Sequence, residues 1–300
     1  MTANGRTLLA SFDIVREAGR ANVAIAREFT VKSDAGGTIR LAFVTKTDAA
    51  KVSGIELIGP APVTPPPGGV IFPTGQNMKI MAIGDSITYG QPSDSTGGFR
   101  MPLWDKMAAI GWAFTPVGWQ NGPPFPPYPT NSPYNGSGHS AAGGWTMNDF
   151  FNEGSLNWTG ETVHTWTLRY TPDVMMLHIG TNDISKGDDQ ATLRSDFVRL
   201  LDTLIADRPS AHIFVAQIIN YSTYMSPYVS EYNAMIANVV NERRTQGKRV
   251  YLVNMEAALA NNASYYSDYV HPNTAGYLQM AETWLSAFLA ANSAAVATVP

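Results

Sequence analysis

Cysteine is absent from the 300 residues, which excludes disulfides, thiolate catalysis and cysteine-based zinc sites together. Long apolar runs are absent too, since no stretch approaches the roughly 18 residues that a membrane span needs. Charge is sparse and nearly balanced. Only 15% of residues are charged, and 20 Lys plus Arg against 24 Asp plus Glu leave a net charge of -4. No basic block stands out, so neither nucleic acid nor a membrane is an expected partner. Met1 to Phe12 lacks the basic start and uninterrupted apolar run of a signal peptide. The bias towards Asn, Ser, Thr, Gly and Tyr with few Lys is nevertheless compatible with a secreted protein. No two of the five histidines have the i,i+4 spacing of a helical zinc site, and no metal is expected. Walker and Rossmann fingerprints and the Gly-x-Ser-x-Gly elbow are also missing, which argues against nucleotide enzymes and the α/β-hydrolase fold.

What is present is enough apolar material, 44% of residues, for a substantial core. The length favours one large domain with a smaller companion. Pro60 to Gly69 is a stiff, extended linker by composition. Before it, Thr7–Val15, Val23–Val31, Thr38–Val44 and Ile55–Ile58 carry strand and turn signals with no convincing helix. After it, strands read at Lys79–Ile83, Ala113–Val117, Val174–Ile179, Ile213–Ile219 and Val250–Val253. Helical periodicity reads over Phe99–Ile110, Asp189–Asp207, Ser226 to Gly247 and Pro272 to about Ala290. Leu278, Ala281, Trp284, Leu285 and Phe288 form the last helix's expected stripe. Such alternation predicts an α/β sandwich around a parallel sheet. The expected organisation is a β-rich part over 1–59, a linker over 60–77, the main domain over 78–293 and a tail over 294–300. Between Gln120 and Gly144 lie six prolines with Phe125, Tyr128 and Tyr134. A loop of that length is either a surface flap or an aromatic wall beside a site.

Chemistry concentrates in three segments. Gly84-Asp85-Ser86-Ile87-Thr88 follows the first strand of the main domain, where a serine at a parallel strand's carboxyl end is presented in a crevice. A hydroxyl is a poor nucleophile until a neighbouring base takes its proton. His271, in Asp268-Tyr269-Val270-His271-Pro272, is the best such base, and Asp268 three residues earlier can fold back to orient its ring. Donors for a developing oxyanion are the Ser86 N–H, the Asn182 amide in Gly180-Thr181-Asn182-Asp183, and the N–H of Gly144 beside the adjacent Gly143. Asp85 and Asp183 are expected to brace their turns. His139 is expected to be exposed, His178 packed and hydrogen-bonded, and His164 and His212 structural. The alternatives to the catalytic reading are a serine that merely starts a helix and an aspartate that merely caps one.

This ordered set of blocks resembles the SGNH (GDSL-type) hydrolase superfamily over about Met78 to Ala290. The resemblance implies a flavodoxin-like three-layer α/β/α sandwich. It implies Ser86 as nucleophile, Asp268 and His271 as its partners, Ser86, Gly144 and Asn182 as oxyanion donors, and no cofactor. In detail the chain is most similar to carbohydrate esterase family 3, whose members deacetylate xylan. Gly138-His139-Ser140-Ala141-Ala142-Gly143-Gly144-Trp145-Thr146 is similar to that family's Gly-His-Ser-Gly-aromatic block, with two extra residues, Ala141 and Ala142, between the His-Ser pair and the glycines. Ser11 to Gly19, Ala26 to Val31 and Gly54 to Ile58 resemble the C-terminal part of a malectin-type carbohydrate-binding domain. Such an incomplete sandwich leaves unpaired strand edges, which favour a homodimer or docking on the hydrolase.

Three functions follow as expectations. The first is a serine esterase acting on acetylated hemicellulose such as xylan. The second keeps that chemistry on other substrates, as a short-chain or aryl esterase or a lipid acyl hydrolase. The third is a carbohydrate-binding protein without catalysis.

Overall fold

A computed structural model of the chain describes residues 1–18, 27, 29, 31, 39–44, 70–92, 97–121, 134, 138–219, 226–259 and 262–296. The chain divides into two compact units, Met1–Pro60 and Ala61–Pro300.

In the first unit, β1 (Thr2–Ala3) pairs antiparallel with both β2 (Arg6–Thr7) and β3 (Leu41–Ala42). The strand expected over Thr7–Val15 is not formed. It is replaced by β2 and a short helix, α1 (Ile14–Ala18). Asp13 begins that helix by accepting from the Arg16 N–H at 3.1 Å. Its local capping bond overrides the β-branched signal of Ile14 and Val15. The expected strand over Thr38–Val44 contains β3. Most of Val23–Val31, all of Ile55–Ile58, the malectin-like motif Gly54 to Ile58 and the Pro60 to Gly69 linker lie outside the described residues.

The second unit runs β4 (Met78–Gly84), α2 (Ser86–Tyr89), α3 (Arg100–Ala109), β5 (Phe114–Pro116), β6 (Ser140–Ala141), a 3-10 turn (Met147–Phe151) and α4 (Val163–Tyr170). It continues with β7 (Val174–His178), α5 (Thr181–Lys186), α6 (Gln190–Asp207), β8 (His212–Ala216), α7 (Ser226–Thr245), β9 (Val250–Val253), α8 (Glu256–Leu259), a 3-10 turn (Ala263–Tyr265) and α9 (Thr274–Val296). The main strands pair in parallel in the order β5-β4-β7-β8-β9, with β6 attached to the carboxyl end of β4. Numbered along the sheet that is 2-1-3-4-5, the flavodoxin order, and it reverses direction between β4 and β7.

The layers follow from the two-residue period of the strands. Ile80 and Ala82 of β4 pack with Trp104 of α3 and Trp284 and Phe288 of α9 on one face. Met81 and Ile83 pack with Trp166 of α4, Leu200 of α6 and Val239 of α7 on the other. Both faces are covered, so the strands read as continuous apolar runs.

Two element expectations need correction. The strand expected through Ile219 stops at Ala216, because Asn233 takes over the backbone beyond it. Its side chain accepts from the Ile218 N–H and donates to the Ile218 carbonyl, each at 2.8 Å. The last helix is longer than expected and buries a slightly rotated stripe. Tyr277 and Met280 are buried while Leu278 is exposed. Among the described residues no helix is long and apolar enough to cross a membrane.

Candidate active site

The site forms at the carboxyl ends of β4 and β7, where the strand order reverses and a parallel sheet opens a crevice. Gly84 makes the approach of these strands feasible. A Cβ there would lie 2.2 Å from the His178 carbonyl oxygen and 2.3 Å from Thr88 Oγ1. Asp85 then starts α2, its carboxylate accepting from the Ile87 N–H at 2.9 Å. Ser86 is therefore the first residue of a short helix, 5% exposed.

The other end of α2 is held by a residue that the sequence reading passed over. Arg100 is 2% exposed, and its guanidinium donates to the carbonyls of Thr88 at 2.8 Å and Tyr89 at 3.0 Å. A cation on the last carbonyls of a helix is electrostatically favourable. Burial lowers its pKa to about 10, so it remains charged at neutral pH. Tyr277 of α9 donates to the Gln91 carbonyl just beyond. Nothing in the local pattern around Arg100 distinguishes it from a solvated helix cation, so only the fold reveals its task.

His271 arrives from the segment before α9. That loop closes on itself, with the Ser267 N–H donating to the His271 carbonyl at 2.9 Å. Asp268 Oδ1 accepts the N–H groups of Val270 and His271, each at 2.7 Å, which orients the carboxylate within its own turn. Its other oxygen lies 2.8 Å from His271 Nδ1, and His271 Nε2 lies 2.8 Å from Ser86 Oγ. Burial alone would raise the Asp268 carboxyl. The backbone and ring hydrogen bonds from His271, with that from Val270, outweigh it and hold the group below its ordinary value. Asp268 thus stays ionised in the range where an imidazole titrates.

β6 delivers the glycine segment. Ile83 and Gly84 of β4 pair with Ser140 and Ala141, and the Ala142 N–H donates to the Gly84 carbonyl at 3.3 Å. Gly143 and Gly144 follow directly, and Gly144 turns with φ +77°, a conformation that favours glycine. Asn182, near the start of α5, uses its amide to donate to the Trp145 carbonyl at 2.8 Å. Beside it, Asp183 accepts from the Met147 N–H at 2.9 Å. Consecutive residues of α5 thus grip the chain just after Gly144. Asp85 braces its own turn as expected, whereas Asp183 braces the distant Met147 segment instead.

The sequence-predicted residues Ser86, Asp268 and His271 are brought into one hydrogen-bonded line, and the Asn182 amide is fixed to the segment that carries Gly144. Two histidines differ from expectation. His139 is 4% exposed. Its backbone pairs with Gln120 in both directions, and its ring meets Tyr89 edge-on at 5.5 Å. His178 is buried as expected, yet among the described residues neither ring nitrogen has a hydrogen-bond partner. His164 and His212 pair with Asp207 and the Tyr251 hydroxyl, at 2.7 and 2.8 Å. Of the aromatic wall, Tyr134 stacks on Phe114 at 5.1 Å, while Phe125 and Tyr128 lie outside the described residues. Among the described residues no group of three or more His, Asp or Glu is arranged to hold a metal ion.

Buried carboxyls make stability depend on pH. Burial pushes Asp183 up to about 7 against its hydrogen bond from Met147, so the folded chain keeps a proton that the unfolded chain releases above about pH 4. The Asp183 contribution is fully present below that pH and is lost as pH rises through about 7. Replacing Asp183 by Asn removes this dependence. Relative to the natural protein, Asp183→Asn is expected to gain about 2–3 kcal/mol between pH 5 and pH 8. Denaturant melts at both values measure it, and a pH-independent difference would refute the assignment.

The GDSL-like Lipase/Acylhydrolase family model matches residues 82–278, most of the second unit. This chain belongs to that family. Among known relatives of this GDSL-like protein is a multidomain esterase from Ruminococcus flavefaciens, 28% identical over 253 residues. The match covers 79% of this chain but only 31% of that protein's length. Among solved structures, a family 3 carbohydrate esterase from Clostridium thermocellum superposes with a TM-score of 0.60 at 25% identity, over 73% of this chain and 98% of that one. A family 3 carbohydrate esterase from Talaromyces cellulolyticus gives 0.59 at 22% identity, over 72% and 98%, and shares the fold.

Proposed function

We propose that the protein is a serine esterase that removes acetyl groups from plant cell-wall polysaccharide, xylan being the favoured substrate. The observation that carries the proposal is the unbroken line from Ser86 Oγ through both His271 nitrogens to Asp268, each contact 2.8 Å long. The carbohydrate esterase neighbour from Clostridium thermocellum supports the sugar-ester substrate.

In this mechanism Ser86 Oγ attacks the acetyl carbonyl carbon while its proton passes to His271 Nε2. Asp268 holds the ring by Nδ1 and stabilises the imidazolium that forms. The Ser86 and Gly144 N–H groups and the Asn182 amide receive the negative charge on the carbonyl oxygen. His271 then returns the proton to the departing sugar oxygen, leaving acetyl on Ser86. Water, deprotonated by His271, attacks that ester, frees acetate and restores the serine. No step calls for a cofactor.

Acetate release from acetylated xylan, with an acyl-chain series on nitrophenyl esters, tests the reading. Acetate should appear, and turnover should fall steeply between acetyl and butyryl esters. Brisk turnover of long acyl chains without acetate release would place the protein among lipid acyl hydrolases instead.

A further inference from the structure

We propose that Trp158 and Tyr269 are sugar-stacking residues that seat the pyranose rings of the polysaccharide chain on the two loops flanking Ser86. This rests on the carbohydrate-esterase reading above and adds the residues that distinguish a polymer from a small ester.

Large aromatic side chains are normally drawn out of water, each burying 150–250 Å² in most settings. Here two are left almost bare. Tyr269 is 88% exposed and Trp158 is 69% exposed, and no other described aromatic residue is as open. Both belong to segments of the site. Tyr269 stands between Asp268 and His271 in the loop closed by the Ser267–His271 backbone bond.

Trp158 is tied to the glycine segment by a chain of contacts. Leu156 receives the Trp145 indole N–H on its carbonyl at 3.2 Å, and its own N–H donates to Asp149 at 2.8 Å. Its side chain lies against Gly144, since a Cβ on that glycine would come within 2.9 Å of Leu156 Cδ1. Two residues on, the Trp158 ring stands edge-on to Trp119 and Trp145, at centroid distances of 5.8 and 6.0 Å. Those rings stack on each other at 5.7 Å, and Trp145 stacks on the buried Trp166 at 5.8 Å. The exposed indole is thus fixed on a rigid base rather than loosely placed, and little ordering cost remains when a ligand covers it.

The occupant follows from chemistry. A pyranose ring presents axial C–H groups to a π face and hydroxyls to water around the edge, so it covers an indole or phenol without stranding polar groups. A net charge of -4 and the absence of a basic cluster disfavour an anionic ligand. A chain lying across Ser86 presents its acetylated ring to the nucleophile and its neighbouring rings to these two aromatics.

The test compares acetylated xylo-oligosaccharides with 4-nitrophenyl acetate. In Trp158→Ala and in Tyr269→Ala, kcat/KM on the oligosaccharide should fall about tenfold more than on the small ester, with the change in KM. As a check free of catalysis, xylohexaose should bind Ser86→Ala measurably by calorimetry, and adding either aromatic substitution should weaken it by a similar factor. Equal losses on both substrates, or an unmoved oligosaccharide KM in Tyr269→Ala, would overturn the proposal even if Trp158→Ala proved poorly folded. Failure of the parent reading looks different: the natural protein would cleave nitrophenyl acetate but release no acetate from oligosaccharides, and sugar stacking would fall with it.

Discussion

Ser86→Ala is expected to lower ester turnover by about 10³-fold or more, while leaving the fold nearly as stable as before. The two halves of this expectation have separate causes. In the proposed mechanism Oγ is the atom that bonds to the acyl carbon, and its removal closes the acyl-enzyme route through Ser86. What activity survives comes from the oxyanion donors and substrate positioning, which the substitution leaves in place. Structurally, the hydroxyl's hydrogen-bond partner is His271 Nε2, at a part-buried position. Losing such a bond costs about 1 kcal/mol, or a drop of about 2–4 °C in melting temperature for a domain of this size. The backbone of α2 is held independently by Asp85 at one end and Arg100 at the other. Turnover of 4-nitrophenyl acetate, read beside the melting curve, decides it. Retained turnover would remove Ser86 from the chemistry, and a collapsed melt would show it to be structural.

Asn182→Ala should cost about 10²–10³-fold in kcat, the usual effect of removing one oxyanion donor. KM should change far less, because the charge that the amide is proposed to receive exists only after attack begins. The side chain has a second duty, since its amide also donates to the Trp145 carbonyl. Asn182→Ala therefore frees the segment after Gly144 as well as deleting a donor. Asp183 still grips that segment at Met147. Asn182→Asp separates the two contributions: it keeps the side-chain shape, has no N–H to offer, and places a negative charge where one develops. It should be at least as impaired as the alanine variant. A loss confined to KM in either variant would mean that Asn182 binds substrate rather than stabilising the transition state.

The sequence made the sheet and the reactive segments legible for a common reason. The strands of a doubly covered parallel sheet are unbroken apolar runs, and the turns at their carboxyl ends are short, so Gly84-Asp85-Ser86 and Gly180 to Asp183 follow their strands at once. Elements too short for periodicity escaped. β6 is two residues long, and His139 just before it is buried by a backbone bridge to Gln120 and a ring contact with Tyr89, both distant in sequence. The helix Val163–Tyr170 lies flush between Thr162, whose side chain caps it, and Thr171 in a left-handed turn. Its eight residues span about two turns, so the stripe of Val163, Trp166 and Tyr170 is too short to stand out in sequence. Arg100 escaped because a buried guanidinium is recognised by the carbonyls it meets, which come from a different helix. Trp158 escaped because exposure is a tertiary property. In the first unit the β-branched pair Ile14 and Val15 read as strand, and Asp13 made it a helix.

Ser86 and His271 meet across 185 positions of chain. The earliest crossover of the sheet and the residues just before its final helix must both be in place before the hydroxyl has a base. Reactivity towards an organophosphate is therefore a reporter of completed folding. During refolding it should return with the last cooperative event, after the far-ultraviolet signal of the intervening helices has recovered. A chain released from the ribosome short of residue 271 would carry its serine unarmed.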